Sequence, residues 1–324
     1  MNVRRSVSVV LCTYNGERYL PKQLDSLIGQ HRLPDELLVQ DDRSVDATVA
    51  IVREFAGRAP FPVRLHVNER RLGVVHNFGV AVDRCSGDYV ALCDQDDVWH
   101  ADKLQRLEHA LDALGGDHRP ALVHSDLRVI GAEAVTSSSF FERRGFRHEH
   151  PLPLAELLVQ NYVTGCAAVF NRATLEIALP IPREASMHDW WFALIAAAAG
   201  QIRTLREPLV DYRSHATNVI GAKSTEWMAY LRPEQARHVF CRAVAQAEAL
   251  GRRLDERGIG TPAAGLVQEL TVRCRQGGWR AAWWTFTQGI RMQHPVATSS
   301  LRFHVLAGLL SGCAGAYAKD GASA

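Results

Sequence analysis

The run from Val7 to Leu11 is dominated by β-branched and apolar residues, as in a strand buried on both faces. The polar segment Thr13 to Glu17 follows. Leu20, Leu24, Leu27 and Ile28 then recur at helical spacing, with Pro21 tolerated in a first turn. Pro34 interrupts, and Glu36 to Val39 predicts a second strand running into Gln40-Asp41-Asp42. The spacing predicts a helix over 44–55, capped by Ser44 or Asp46, and a strand over 63–67. A helix is expected from Val74 to Cys85, and a strand from Tyr89 to Cys93 that ends at Asp94-Gln95-Asp96-Asp97. Strand and helix alternate, which is the pattern of a parallel sheet wound with helices. Polar clusters follow strands one, two and four. Open α/β sheets bind ligands at the carboxyl ends of their strands, so these clusters are expected to meet in one crevice.

After Asp97 the rhythm changes. Leu104 to Leu114 reads as a helix and Ala121 to Ser125 as a strand. Residues 131–150 read as a long polar loop, 154–160 as a helix, 165–170 as a strand and 190–199 as a buried Ala-rich helix. Beyond Ser224 only helical patterns appear, so a boundary is placed there. The expected division is a catalytic domain over 1–223 and a helical C-terminal region over 224–324.

Composition narrows the class. The chain has 324 residues, 47% hydrophobic and 22% charged, which excludes collagen-like, disordered and low-complexity chains. A net charge of +2 argues against a nucleic-acid partner. The seven cysteines are scattered, odd in number and without a C-x-x-C pair. No disulfide framework or zinc ribbon is expected, and a reducing, cytoplasmic compartment fits. The first apolar run is too short for a signal peptide, and no apolar window is long enough to span a bilayer.

The candidate chemistry lies at the strand ends. Asp94 and Asp96, two apart in an extended segment, point the same way and invite a divalent cation. Oxygen ligands suit Mg²⁺ or Mn²⁺ better than Zn²⁺. The same residues read equally as a solvated turn or the cap of the next helix, and Asp41-Asp42 leaves the same choice open. Thr13-Tyr14-Asn15-Gly16 is neither a P-loop nor a G-x-G-x-x-G loop. A bound phosphate would therefore need another holder, and a metal is the evident one.

The combination is more specific than its parts. An apolar strand followed by T-Y-N-G, a strand followed by D-D, and a strand followed by D-Q-D-D resembles the family 2 glycosyltransferases, which have the GT-A fold. Further segments agree in order: Asn68 with Leu72-Gly73 and Asn77-Phe78, then Gly87-Asp88-Tyr89, Thr164-Gly165-Cys166, Met187-His188-Asp189-Trp190-Trp191 and Tyr212-Arg213-x-His215. Arg71 departs from the family pattern, which often has Asn there. The resemblance covers residues 6 to about 222 and looks most like the bacterial rhamnosyltransferase branch.

The resemblance implies an inverting, metal-dependent transfer from a nucleoside diphosphate sugar to a hydroxyl of a saccharide or lipid-linked saccharide in cell-surface polysaccharide synthesis. L-rhamnose from dTDP-rhamnose is the expected donor group. Thr13, Tyr14, Asn15, Asp41, Asp42, Asn77 and Asp94 would bind the nucleotide sugar, with Asp41 on the base. Asp94, Asp96 and His215 would hold Mg²⁺ or Mn²⁺. Asp189 would be the general base, its pKa raised by burial. Thr164, Gly165, Cys166, His188 and Trp190 would form the acceptor side, although Asp189 also fits a helix cap. Two other readings stay open: a non-catalytic glycan-binding protein on a degenerate GT-A fold, and a sugar-phosphate nucleotidyltransferase. The second would want a Gly-rich basic loop after the first strand.

The C-terminal region adds one feature. Trp279, Trp283, Trp284 and Phe286 lie among Arg273, Arg275, Arg280 and Arg291. Such a mixture suits peripheral contact with the cytoplasmic face of an inner membrane, and equally a helix pair packed on the catalytic domain.

Overall fold

The structure is a computed structural model that describes residues 4–115, 119–131, 134–146, 153–214, 230–292, 294–311 and 313. Its first half alternates as the pattern requires: β1 (Val7–Thr13), α1 (Leu20–Ile28), β2 (Glu36–Asp41), α2 (Thr48–Ala56), β3 (Val63–Val67), α3 (Val74–Arg84) and β4 (Tyr89–Cys93). β1 pairs in parallel with both β2 and β4, and β2 with β3. Along β1, Val7, Val9 and Leu11 enter one apolar cluster, while Val10 and Cys12 enter the other. This two-faced burial explains the unbroken apolar run. Burying each such side chain contributes about 1.5–3 kcal/mol.

The second half is mixed rather than parallel. It comprises β5 (Val98–Trp99), α4 (Lys103–Asp112), β6 (Ala121–Ile130), β7 (Val135–Ser137), α5 (Phe140–Arg144), α6 (Leu154–Leu157), β8 (Ala168–Asn171), α7 (Arg172–Ala178), α8 (His188–Ala199) and β9 (Gln201–Arg213). Among the described residues the strand order is β3-β2-β1-β4-β8-β6-β9-β5, with β7 beside β6. β8 runs antiparallel to β4 and β6, β9 is parallel to β6, and β5 is antiparallel to β9.

Several sequence expectations change. β9 is absent from the pattern reading because Arg203, Arg206, Glu207 and Pro208 break its apolar alternation and its register with β6 shifts twice. The expected loop over 131–150 contains β7 and α5. Ser139 caps α5 by accepting the Glu142 N–H. The strand expected from Gly165 begins with a 3-10 turn, Gly165–Ala167, and is extended only from Ala168. The helix expected from Ser44 begins at Thr48, whose N–H bonds the Asp46 carboxylate. Ser44 instead bonds Asp41.

Beyond residue 229 the described chain is helical: α9 (Pro233–Glu256), α10 (Pro262–Gln276), α11 (Gly278–Thr287) and α12 (Pro295–Leu306). The boundary expected near 224 lies outside the described residues. These helices share one apolar cluster with α3 and α8. Gln246 of α9 accepts the Ser186 N–H just before α8, and Arg253 donates to the Ile177 carbonyl. The absence of disulfides expected from the cysteine spacing is corrected: Cys241 and Cys313 are bonded, 72 residues apart. Helix packing rather than a spacing motif brings them together. Among the described residues no helix is long and apolar enough to cross a membrane.

Candidate active site

The parallel register sets the site. It places Thr13 opposite Asp41 and Leu11 opposite Cys93, so the polar ends of β1, β2 and β4 open on one edge. A cleft of about 780 Å³ lies there, and Tyr14, Asp42, Asn77, Asp94, Asp96 and Asp189 all line it.

The expected nucleotide-binding residues divide into two sets. Asp41 is completely buried. It accepts from the Thr13 hydroxyl at 2.7 Å and from both the Ser44 N–H and hydroxyl. Asp41 therefore does not line the cleft, whereas Asp42 does. The Asp42 carboxylate accepts the N–H groups of Leu72 and Gly73 and the Asn68 amide, which fixes the loop before α3. Asn77 donates to the Gln40 carbonyl and accepts from Asn68. Asn15 adopts a left-handed conformation (φ 48°) and accepts the Val45 N–H. Arg71, the departure from the family pattern, stacks on the Tyr14 ring at 4.0 Å.

Gln95, inside the D-Q-D-D segment, joins the first loop to the fourth strand. It accepts the Tyr14 N–H and donates to the Tyr14 carbonyl. Gly16 makes room for it, since a Cβ there would lie 2.2 Å from Gln95 Oε1.

Asp94 and Asp96 line the cleft, and Asp97 is buried behind them. Asp97 accepts the Arg213 N–H through Oδ1, while its Oδ2 is buried with no hydrogen-bond partner among the described residues. Burial raises the pKa of Asp94 well above the usual carboxylate range, helped by the nearby Asp97, Asp96 and Asp189. Burial, with the nearby Asp96, raises Asp97 to about 7. A dication would relieve this crowding, so the residues fit one. One ligand atom each of Asp94, Asp97 and Cys166 lies within 4.8 Å of the others. Burial keeps Cys166 a thiol, so the carboxylates supply the hard ligands that Mg²⁺ or Mn²⁺ needs. Beneath them Lys103 is fully buried and donates to the Cys166 carbonyl at 2.6 Å. Arg213 is not solvated. It is buried, and its Nε donates to the Asp96 carbonyl. His215 lies outside the described residues.

Asp189 sits in the first turn of α8 and lines the same cleft. It accepts the Gly165 N–H at 2.9 Å, the Trp190 N–H at 2.6 Å and the Asn161 amide at 3.1 Å. Burial outweighs these bonds and pushes its pKa up to about 6. Gly165 allows a close approach, since a Cβ would meet His188 Nε2 at 3.2 Å and Asp189 Cβ at 3.3 Å, and those side chains would have to give by a few tenths of an ångström. His188 stacks on Phe78 with ring centroids 3.9 Å apart. Burial lowers its pKa to about 3, so the ring is neutral, and neither ring nitrogen has a hydrogen-bond partner. Thr164 and His188 line the cleft. Two expected acceptor-side residues do not: Cys166 is fully buried, and the Trp190 indole donates to the Leu157 carbonyl.

Residues 8–119 match the sequence profile of the family described as "Glycosyl transferase family 2". The match covers about a third of the chain. An uncharacterized protein of Mycobacterium tuberculosis is 30% identical over 221 residues, covering 68% of this chain and 62% of that relative. The chain thus spans less than two thirds of that relative's length. The dTDP-rhamnosyl transferase RfbG of Shigella flexneri is 25% identical over 240 residues, covering 68% of this chain and 77% of RfbG. Solved structures agree on the GT-A fold. S. aureus TarS in complex with UDP aligns with a TM-score of 0.55 at 17% identity, over 92% of this chain and 90% of that one. The mannosyltransferase PcManGT from Pyrobaculum calidifontis, in complex with GDP-Man and Mn²⁺, aligns at 0.54 and 20% identity, over 95% and 87%.

The cleft has residues that the pattern of the sequence does not mark. Gln95 was visible inside D-Q-D-D but carried no charge to mark it. Phe140, Arg144 and Phe146 line the cleft from the segment expected to be loop, and Asn161 and Tyr212 also reach it. A cap signature at Ser139 with Glu142 was the available signal for α5.

Proposed function

We propose that the chain transfers a sugar, with inversion, from a nucleoside diphosphate donor to a hydroxyl of a saccharide or lipid-linked saccharide. One observation carries this reading. A single cleft is lined by the carboxylates of Asp42, Asp94 and Asp96 together with Asp189, whose pKa is raised to about 6. The nucleotide would lie along Tyr14, Asn15, Asp42 and Asn77. Asp41 would act indirectly, holding Thr13 and Ser44. Asp94 and Asp96 would hold Mg²⁺ or Mn²⁺, which when bound neutralises the charge developing on the diphosphate leaving group. That PcManGT is described with Mn²⁺ supports the metal.

Asp189 then takes the acceptor hydroxyl proton as the oxygen forms its bond to the anomeric carbon. The bond from that carbon to the diphosphate oxygen breaks, and the nucleoside diphosphate leaves with the electron pair. Gly165 and Asn161 hold the carboxylate in place. His188, neutral and unpartnered, offers a hydrogen bond to substrate on the acceptor side. Similarity to RfbG supports dTDP-rhamnose as the donor in cell-surface polysaccharide synthesis.

A donor panel tests the reading. Purified protein is mixed with dTDP, UDP, GDP and dTDP-rhamnose in Mn²⁺, Mg²⁺ or EDTA, and melting is followed. A ligand that binds the native state raises Tm by mass action. A metal-dependent shift selective for thymidine nucleotides is expected. No shift with any nucleoside diphosphate at millimolar concentration overturns the proposal.

A further inference from the structure

We infer that α11 and α12 form a docking surface for an anionic lipid bilayer. This inference goes beyond the transferase reading and does not depend on it.

The structure separates the C-terminal aromatic residues by direction. Trp284 is buried in the cluster shared with α8. Trp279, Trp283 and Phe286, at i, i+4 and i+7, are 67%, 62% and 53% exposed and form one face of α11. Phe303 and Leu306 on α12 are also at least half exposed, and Leu309 follows them. Arg302 of α12 stacks on Phe286 at 4.9 Å, which joins the two faces into one surface. Most of the exposed large apolar residues at the C-terminal end of the described chain are gathered here. A contiguous apolar surface of this kind marks an interaction site.

Charge identifies the partner. Residues 278–311 contain no Asp or Glu and three arginines; Arg291 is paired with Glu156, and Arg280 and Arg302 stack on rings of the surface. Arg280 stacks on Trp279 at 5.4 Å, and Arg237 of α9 donates to the Leu309 carbonyl. Guanidinium groups interleaved with indole and phenyl rings match an interface where rings sit at headgroup level and cations meet phosphates. A second copy of the chain fits less well. A two-fold interface would bring this patch against itself, and residues 278–311 offer no carboxylate to pair its arginines. No described helix is long and apolar enough to span, so the contact lies on the membrane plane.

The surface is also coupled to the cleft. Arg291, between α11 and α12, pairs with the buried Glu156 of α6 at 2.5 Å. The carbonyl of Leu157, the next residue, holds the Trp190 indole beside Asp189. A bilayer on this face would therefore lie against elements that support the acceptor side.

Co-sedimentation of the full chain with vesicles tests the inference. Two vesicle types are used: phosphatidylcholine alone, and equimolar phosphatidylcholine and phosphatidylglycerol. The protein is expected to pellet with the anionic vesicles and to show a blue-shifted tryptophan emission. Trp279→Ala with Trp283→Ala should abolish pelleting. Arg280→Glu with Arg302→Glu should weaken it at least tenfold, by about 1 kcal/mol or more per charge. Val272→Ala, an exposed apolar residue on α10, should leave it unchanged. Trp279, Trp283, Arg280 and Val272 are exposed, whereas Arg302 is half-buried, so Arg280→Glu alone serves as a second charge variant and every variant is checked by circular dichroism. Three outcomes overturn the inference: no pelleting with either vesicle, pelleting unaffected by the tryptophan pair, or a tryptophan-dependent dimer in sedimentation velocity without vesicle binding.

Discussion

Gln95 holds the peptide of Tyr14 from both sides, accepting its N–H at 2.9 Å and donating to its carbonyl at 3.0 Å. One side chain thus imitates a strand partner and ties the loop after β1 to the acidic segment after β4. A nucleotide lying on Tyr14 and a metal on Asp94 would be kept in fixed relation by it.

Replacing Gln95 with Ala should lower nucleoside diphosphate affinity about 3–30-fold, the worth of one or two exposed hydrogen bonds. Gly16→Ala should produce much the same loss, because the added Cβ displaces the Gln95 amide. The double variant should fall well short of the sum of the two losses. Calorimetric titration of the four proteins checks this; additive losses would separate Gly16 from Gln95.

Asp189→Asn should retain donor binding and lose transfer by about 10²–10⁴-fold. In the parent protein, kcat/KM should fall as pH drops below about 6, since Asp189 must be ionised to accept a proton. The stability effect has the opposite sense. The folded pKa lies above the ordinary 3.8, so the folded state holds the proton more tightly and stability declines as pH rises from about 4 to about 6. The Asn variant should lack that decline and melt higher at pH 7. Tm measured against pH for both proteins decides it.

Asp96→Ala should remove the metal dependence of nucleotide binding. Thermal shift by a nucleoside diphosphate in Mn²⁺ should shrink to its value in EDTA. A variant that kept the full Mn²⁺-dependent shift would remove Asp96 from the ligand set and leave Asp94 with Asp97.

Arg291→Ala should destabilise the protein by about 2–4 kcal/mol, because it leaves the buried Glu156 carboxylate without its partner. Adding Glu156→Gln should recover much of the loss, since the uncompensated charge is then gone. Urea unfolding of the single and double variants measures both.

The legible and illegible parts of the chain differ in kind. β1, β2, β4 and the acids behind them are readable because each strand is buried on both faces and ends abruptly in polar residues. Asp189 is readable because an acid stands before a long apolar helix. β9 is hidden because its charged positions belong to an exposed segment, so no period survives. β5 has two residues and exists only through its pairing with β9. The direction of Trp283 and Trp284 is fixed by which side of α11 meets the core. The Cys241–Cys313 bond depends on α9 and the chain after α12 lying side by side. Sequence spacing encodes none of these three-dimensional facts. The roles of Asp41, Cys166 and Trp190 changed for a related reason: the resemblance marked them as functional, whereas Asp41 and Cys166 are buried and the Trp190 indole is bonded to the Leu157 carbonyl.

Helix α8 carries Asp189 at its first turn and is apolar nearly all round, with nine of its twelve residues buried. Its backbone amides are among the last to meet solvent, and would exchange their hydrogens only when much of the fold opens. The proposed proton acceptor is therefore mounted on a deeply buried helix, while Phe140 and Arg144 of α5 line the same cleft from a short surface helix. On the proposed reading, changes in α5 would alter the acceptor contacts and leave the base, with its Asn161 and Gly165 supports, where it stands.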